Sequence, residues 1–364
     1  MLSILFSIWL VSTAILVSFY LFVFGKLVKV KSIGKNVLQP PVSVVVCSKN
    51  NYNGLQKLIP LLLNQKYKEF EIVIVNDHST DETERFLTQI NSSKLKVVHF
   101  YDEKKYEGKK EALSIGIKNA KYDWILLTDS DCYPQSEYWV LSMMNAQNNQ
   151  NNDVVLGIGY YEQKKGVLNK IIQYDTLLIV IQYLSFAKIN QAYMGVGRNL
   201  AYKKSIFDAV NGFKKHEQIT SGDDDLFIQT LPENANIGIQ LDMFASTISE
   251  PKNTFIEWLN QKSRHLSTGF KYKTSHLFLL GLFQLCILLF YTCPFFLLSA
   301  NQIINYTIAV ILIKFFIQIQ IFNKLSLKLK YNRFNLFFLP FEFLWVLLGF
   351  VQMMYKLTLR KKTW

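Results

Sequence analysis

The chain has 364 residues, half of them hydrophobic, and carries 40 Lys and Arg against 27 Asp and Glu, a net charge of +13. That length admits one sizeable domain with smaller attachments. The apolar residues are too unevenly spread for an ordinary soluble enzyme. The basic residues cluster beside the apolar runs, where lipid headgroups account for them without a nucleic-acid partner.

The first apolar run, Met1 to Phe24, carries no charge. It is long enough to cross a bilayer. A secretory signal would begin with a basic region, but the first basic residue here is Lys26, after the run. Residues 1–25 therefore read as an uncleaved transmembrane anchor and 26–40 as a basic linker, with Lys26, Lys29, Lys31 and Lys35. The positive-inside rule places the linker and the large central domain in the cytosol.

Residues 41–250 read as an α/β domain. "VSVVVCS" (42–48), "EFEIVIVND" (69–77), "KLKVVHF" (94–100) and "DWILLTD" (123–129) are short apolar runs of the kind buried on both faces of a sheet. Helical patterns at 52–63, 81–90 and 109–120 alternate with them, which predicts a mixed, mainly parallel sheet covered by helices. Residues 251–275 read as an interfacial amphipathic helix, with Phe255, Trp258 and Leu259 on one stripe. Residues 276–357 hold three apolar runs (276–299, 303–322 and 336–355), and 358–364 form a basic tail. Pro340 and Glu342 interrupt the last run. A broken, re-entrant or interfacial segment there keeps both the Lys324–Arg333 loop and the tail on the cytosolic side. Cys47, Cys132, Cys286 and Cys293 lack zinc spacing and read as reduced packing residues.

In an open α/β sheet, ligands bind beyond the carboxyl ends of the strands. Ser48 and Asn50 follow the first strand, Asp77 ends the second, and Asp129-Ser130-Asp131 end the fourth. Asp129 and Asp131, two apart in extended chain, point the same way. Two such carboxylates repel unless a hard cation such as Mg²⁺ or Mn²⁺ joins them, and that cation would also hold a diphosphate. Helix capping by Asp131 is the alternative. Asp77 can accept hydrogen bonds from a nucleobase or ribose, and Lys109, behind a glycine at a helix start, can meet phosphate. Arg198 and Asn199 follow two glycines in "GVGRN", where an ordinary turn is the competing reading. "SGDDDLF" (221–227) crowds three carboxylates, a costly arrangement unless a cation or a proton-transfer role relieves it. Gln261 and Arg264 lie off the apolar stripe of the amphipathic helix, and a guanidinium suits a diphosphate.

In this order, "VSVVVCSKN", "VNDHSTDET", "GKKEAL", "TDSD", "GVGRNLAY", "SGDDDL" and "QKSRH" make the chain resemble the family 2 inverting glycosyltransferases of GT-A fold. The resemblance implies a nucleotide-diphosphate sugar donor, a divalent metal (Mn²⁺ or Mg²⁺) on Asp129 and Asp131, and donor contacts from Ser48, Asn50, Asp77, Lys109, Asp129, Gln261 and Arg264. It implies acceptor-side contacts from Arg198 and Asn199. Alignment on the following leucine makes Asp223 the catalytic base; a slide by one makes it Asp224. His265 stands where the family pattern has tryptophan, so an aromatic wall for a growing glycan is missing. With membrane spans, the resemblance implies a lipid-linked or membrane-associated acceptor and contact with membrane lipids at the cytosolic face of a bacterial inner membrane. A processive polysaccharide synthase and a nucleotide-sugar sensor or scaffold without turnover are the rival readings.

Overall fold

The computed structural model describes residues 2–30, 39–148, 151–298, 303–331 and 338–358. They divide into two compact units. One holds the described residues of Ser32–Gln173 and Ala192–Lys271, the other those of Met1–Lys31, Tyr174–Gln191 and Tyr272–Arg360.

In chain order the elements are α1 (Leu2–Val28), β1 (Val42–Ser48), α2 (Tyr52–Leu63), β2 (Phe70–Asp77), α3 (Thr83–Thr88), β3 (Leu95–Phe100), α4 (Lys110–Asn119), β4 (Trp124–Leu127), β5 (Cys132–Pro134), α5 (Trp139–Asn148), β6 (Val154–Leu156) and β7 (Gly159–Tyr161). Next come α6 (Val167–Lys188), β8 (Leu200–Lys203), α7 (Lys204–Ala209), α8 (Asp225–Thr230), β9 (Ile237–Ile239), β10 (Thr247–Ser249), α9 (Phe255–Gly269), α10 (Thr274–Leu297), α11 (Ile304–Lys328) and α12 (Phe338–Thr358).

The first unit is built on a seven-stranded sheet of order β3-β2-β1-β4-β8-β6-β9. β8 runs antiparallel to both neighbours and the other pairings are parallel, as the mixed α/β reading requires. Alternation along β1 explains both layers. Val42, Val44 and Val46 pack with Leu55, Leu58 and Leu62 of α2 and with Trp139 and Met143 of α5. On the β2 face beneath α4, Val75 meets Ala112 and Cys47. Each such buried aliphatic side chain contributes about 1.5–3 kcal/mol, so one polar substitution in the central strands would be costly. A second sheet, β5-β10-β7, pairs Ser249 with Cys132 on one side and Tyr161 on the other.

In the other unit, α1, α10 and α11 are each long and apolar enough to cross a membrane. Of the broken, re-entrant or interfacial readings of the last apolar run, the structure removes the break: α12 is one unbroken helix, and among the described residues it is not one of the helices long and apolar enough to cross a membrane. Pro340 sits in its first turn, where the missing N–H leaves no intrahelical bond unmade. The Glu342 carboxylate is buried within the unit. It accepts a 2.5 Å contact from Lys314 of α11, a 3.0 Å bond from Tyr291 of α10, and a bond from Tyr20 of α1. Rings of Phe290, Phe315, Tyr291 and Tyr20 surround the Lys314 ammonium.

Candidate active site

The carboxyl ends of β1, β2 and β4 carry the first group of side chains. Ser48 is buried and its hydroxyl has no hydrogen-bond partner among the described residues. Asn50 takes a left-handed φ of 50° and joins the β1 and β2 loops. Its N–H donates to Ser79 Oγ at 2.9 Å and its Oδ1 accepts from the Thr80 N–H at 2.7 Å. His78, also left-handed (φ 54°), places its Nδ1 2.8 Å from Asp77 Oδ1 and its Nε2 2.9 Å from the Asp102 carbonyl. Asp77 Oδ2 accepts from Lys104 Nζ at 2.6 Å. The carboxylate assigned to the nucleobase is therefore fixed by two neighbours, one of which, Lys104, had no signal in the sequence beyond a solvated charge run.

Asp129 and Asp131 converge as expected, but through a turn rather than a strand. β4 ends at Leu127, and the Cys132 N–H donates to the Asp129 carbonyl at 3.1 Å. Ligand atoms of Asp129, Asp131 and Cys132 lie within 4.8 Å of one another. Burial holds the Cys132 thiol well above its ordinary pKa, and the thiol contacts Asp131 Oδ1 at 3.4 Å and Ser249 Oγ at 3.0 Å. The two carboxylates are thus the anionic donors here, and hard oxygen donors fit Mg²⁺ or Mn²⁺.

Lys109 joins the two acidic segments. Its Nζ donates to Asp129 Oδ1 at 2.8 Å and stands 2.8 Å from Asp223 Oδ2. Burial works against its charge, but Asp129 and Asp223 raise its pKa well above the ordinary lysine value. Burial would raise the Asp129 pKa; Lys109, Arg198 and Arg264 lower it instead, which keeps the carboxylate ionised.

The three aspartates do not share one environment. Asp223 Oδ2 is buried and ion-paired with the Lys109 ammonium at 2.8 Å, and no other donor among the described residues reaches it. Asp224 accepts the Gly197 N–H on Oδ2 and the Asp225 N–H on Oδ1, each at 2.8 Å. Burial, then the charges of Asp223 and Asp225, push its pKa up to about 7. Asp224 is the N-cap of α8, while Asp225, its first residue, accepts the Leu226 N–H at 2.7 Å and a bond from the Thr268 hydroxyl of α9.

On the opposite side Arg198 donates to the Gly159 carbonyl at 2.8 Å and to Ser249 Oγ at 3.1 Å. Its guanidinium lies 4.4 Å from the centre of the Tyr161 ring. Gln261 of α9 donates to the Tyr161 hydroxyl at 3.0 Å. Asn199 is fully buried, and its amide is used within the protein. It accepts from Trp139 Nε1 at 3.1 Å and donates to the Ile158 and Ala245 carbonyls at 2.8 and 2.7 Å. Arg264 is exposed on α9. Sequence reasoning missed Tyr161, Ser249 and Thr268. The pair Gly157 and Gly159 ahead of Tyr161 was the available clue, because a Cβ at either would collide with Asn199 or Arg198.

The known proteins to which this chain is similar are glycosyltransferases. Glycosyl transferase family 2 matches residues 43–210. An uncharacterized glycosyltransferase of Rickettsia prowazekii is 33% identical over 129 residues, covering 35% of this chain and 38% of its own length. The poly-beta-1,6-N-acetyl-D-glucosamine synthase of Staphylococcus aureus is 27% identical over 139 residues, 38% of this chain and 33% of its own. The matches thus span little more than a third of those relatives. The solved mannosyltransferase PcManGT of Pyrobaculum calidifontis, in complex with GDP-Man and Mn²⁺, superposes with a TM-score of 0.55 at 15% identity, over 85% of this chain and 87% of that one. The likeness shows a shared fold.

Proposed function

We propose that this chain, whose residues 43–210 match glycosyl transferase family 2, transfers a sugar, with inversion, from a nucleotide-diphosphate sugar to a lipid-linked or membrane-associated acceptor at the cytosolic membrane face. The observation that carries the reading is Asp223 Oδ2: buried, ion-paired with Lys109 at 2.8 Å beside Asp129, and with no other donor among the described residues. That oxygen is the general base. It takes the proton from an acceptor hydroxyl as that oxygen bonds to the anomeric carbon and the bond from carbon to diphosphate breaks. Asp224 is the weaker candidate, since both its oxygens already hold backbone N–H groups.

Asp129 and Asp131 would hold Mg²⁺ or Mn²⁺, which when bound offsets charge on the departing diphosphate. Lys109 and Arg264 add positive charge on the same side, Lys109 kept protonated by its two carboxylates. Asp77, oriented by His78 and Lys104, receives the nucleobase, and Ser48 and Asn50 line the same strand ends. Arg198 meets the acceptor, while Asn199 supports it from within the core. Two features support a membrane-bound acceptor: the apolar helices, and exposed Phe255, Ile256 and Phe270 on and beside α9.

The test is purified protein in detergent, offered a panel of nucleotide sugars and a membrane lipid extract, and assayed for release of nucleoside diphosphate. Lipid-dependent release supports the reading. Tight nucleotide binding without any turnover would replace it with a sensor.

A further inference from the structure

α9 touches the rest of its unit through polar contacts at both ends of one face. Gln261 donates to the Tyr161 hydroxyl at 3.0 Å, and Thr268, two turns later, donates to Asp225 Oδ2. Between them the Ser221 hydroxyl reaches the Arg264 carbonyl at 3.5 Å and the Ser267 hydroxyl at 3.3 Å. Residues 261, 264 and 268 are spaced i, i+3, i+7 and share a helix face. Trp258, Leu259 and Ser263 are buried on the rest of the inward surface.

The two contacts lead to different halves of the site. Thr268 binds the residue two positions after Asp223, so it fixes α9 to the acid segment. Gln261 binds Tyr161, whose ring lies on Arg198; Arg198 bonds Ser249, and Ser249 contacts Cys132, the neighbour of Asp131. Tyr161, Ser249 and Cys132 are register partners across the sheet β7-β10-β5, so this route is one rigid rung. The hydroxyls of Tyr161 and Thr268 are both engaged within the protein, and each ends on a group that holds α9.

We infer that Tyr161 and Thr268 are positioning residues which clamp α9 at two points and thereby aim Arg264 between the metal carboxylates and the base. The inference rests on the glycosyl-transfer reading for what Arg264 does, but the clamp itself is a property of the fold. A helix fixed at one end can swing, and displacement of a charge by about 1 Å can cost about a hundredfold in rate.

The experiment compares Thr268→Val, Thr268→Ser and Tyr161→Phe with wild type, in the full chain in detergent. It reads kcat, donor KM, UDP and GDP affinity, and backbone hydrogen exchange over 255–269. Thr268→Val and Tyr161→Phe each lower kcat by about ten- to a hundredfold, while nucleoside diphosphate affinity stays within about twofold. Exchange accelerates in α9 and not in the central sheet. Thr268→Ser, which restores the hydroxyl, restores kcat. In an Arg264→Ala background Thr268→Val costs nothing more, because there is no longer a guanidinium to aim. An equal loss in both backgrounds, or α9 exchange unchanged in Tyr161→Phe and Thr268→Val, overturns the clamp. If wild type turns over no nucleotide sugar, the functional reading fails, and the exchange comparison still decides the clamp. Should Thr268→Val unfold, Tyr161→Phe, which removes one hydroxyl and keeps the ring, decides alone.

Discussion

Gly159 passes so close beneath Arg198 that a Cβ on it would stand 2.2 Å from the Arg198 Nε and 2.7 Å from its Cδ. Arg198 cannot simply yield, because it is tied to the Gly159 carbonyl and Ser249 while its guanidinium covers Tyr161. Gly159→Ala should therefore cost about 1–3 kcal/mol of stability as overpacking, and lower transfer by more than that loss explains. Melting temperature and kcat/KM, measured together, check this.

Asp223 and Asp224 separate by their bonds. Asp223→Asn removes the base and should lower kcat by about a hundred- to ten-thousandfold, with nucleotide binding kept. Asp224→Asn turns an amide N–H₂ toward a backbone N–H that the carboxylate accepted, and should cost about 1–3 kcal/mol of stability while transfer remains measurable. The reverse pattern in steady-state kinetics would exchange their roles.

Chelation should abolish nucleoside diphosphate release, and Mn²⁺ or Mg²⁺ should restore it. Asp131→Asn keeps the turn but removes one hard anionic donor, so it should raise the metal concentration needed for half-maximal rate. A metal titration of both proteins reads this directly. Unchanged metal demand would leave Asp131 a residue of the turn alone, since β5 and not a helix follows it, which also removes the helix-cap alternative.

His216 lies buried behind the acid segment, with neither ring nitrogen partnered among the described residues. Lys110 donates to its carbonyl at 2.6 Å. Burial, then the Lys110 charge, lowers the His216 pKa to about 4. Its folded pKa lies below the unfolded one, so protons bind the unfolded chain first. Stability from this site is full above about pH 6.5 and falls as pH drops toward 4, by up to about 3 kcal/mol. Denaturant unfolding from pH 7 to pH 4 should show this slope, and His216→Phe should flatten it.

Lys314 and Glu342 should fail singly and be rescued together. Lys314→Met leaves a buried carboxylate unpaired and should cost about 3–5 kcal/mol, whereas Lys314→Met with Glu342→Leu should recover most of it. Thermal unfolding of the three variants in detergent measures the cycle.

The half of the candidate site at the strand ends was legible because its residues close apolar strands: Ser48, Asp77 and Asp129 each end or follow a run whose burial is written in its composition. The other half was not. Tyr161, Ser249 and Thr268 come from three separate stretches, and only the pairing of β10 with β7 and the docking of α9 bring them to Arg198 and Asp225. Asn199 looked like a ligand contact because the glycines before it permit close backbone approach and the resemblance placed it on the acceptor side. Its burial under Trp139 is a tertiary fact. α6 escaped notice because its apolar residues continue around the helix, leaving no periodic stripe.

The small sheet also sets an order in time. β1 with β2 and β2 with β3 pair across fewer than 30 residues, and β4 joins β1 across 82, from Val42 to Trp124. β5 must wait for β10, which is made more than a hundred residues later, since Cys132 pairs with Ser249. Loops that long close slowly and late. On the ribosome or in refolding, the strand ends that carry Ser48, Asp77 and Asp129 should therefore be in place before the small sheet that holds Arg198 and Tyr161. During that interval Asp129 and Asp131 stand at the end of β4 without the strand partner that later fixes Cys132 beside them.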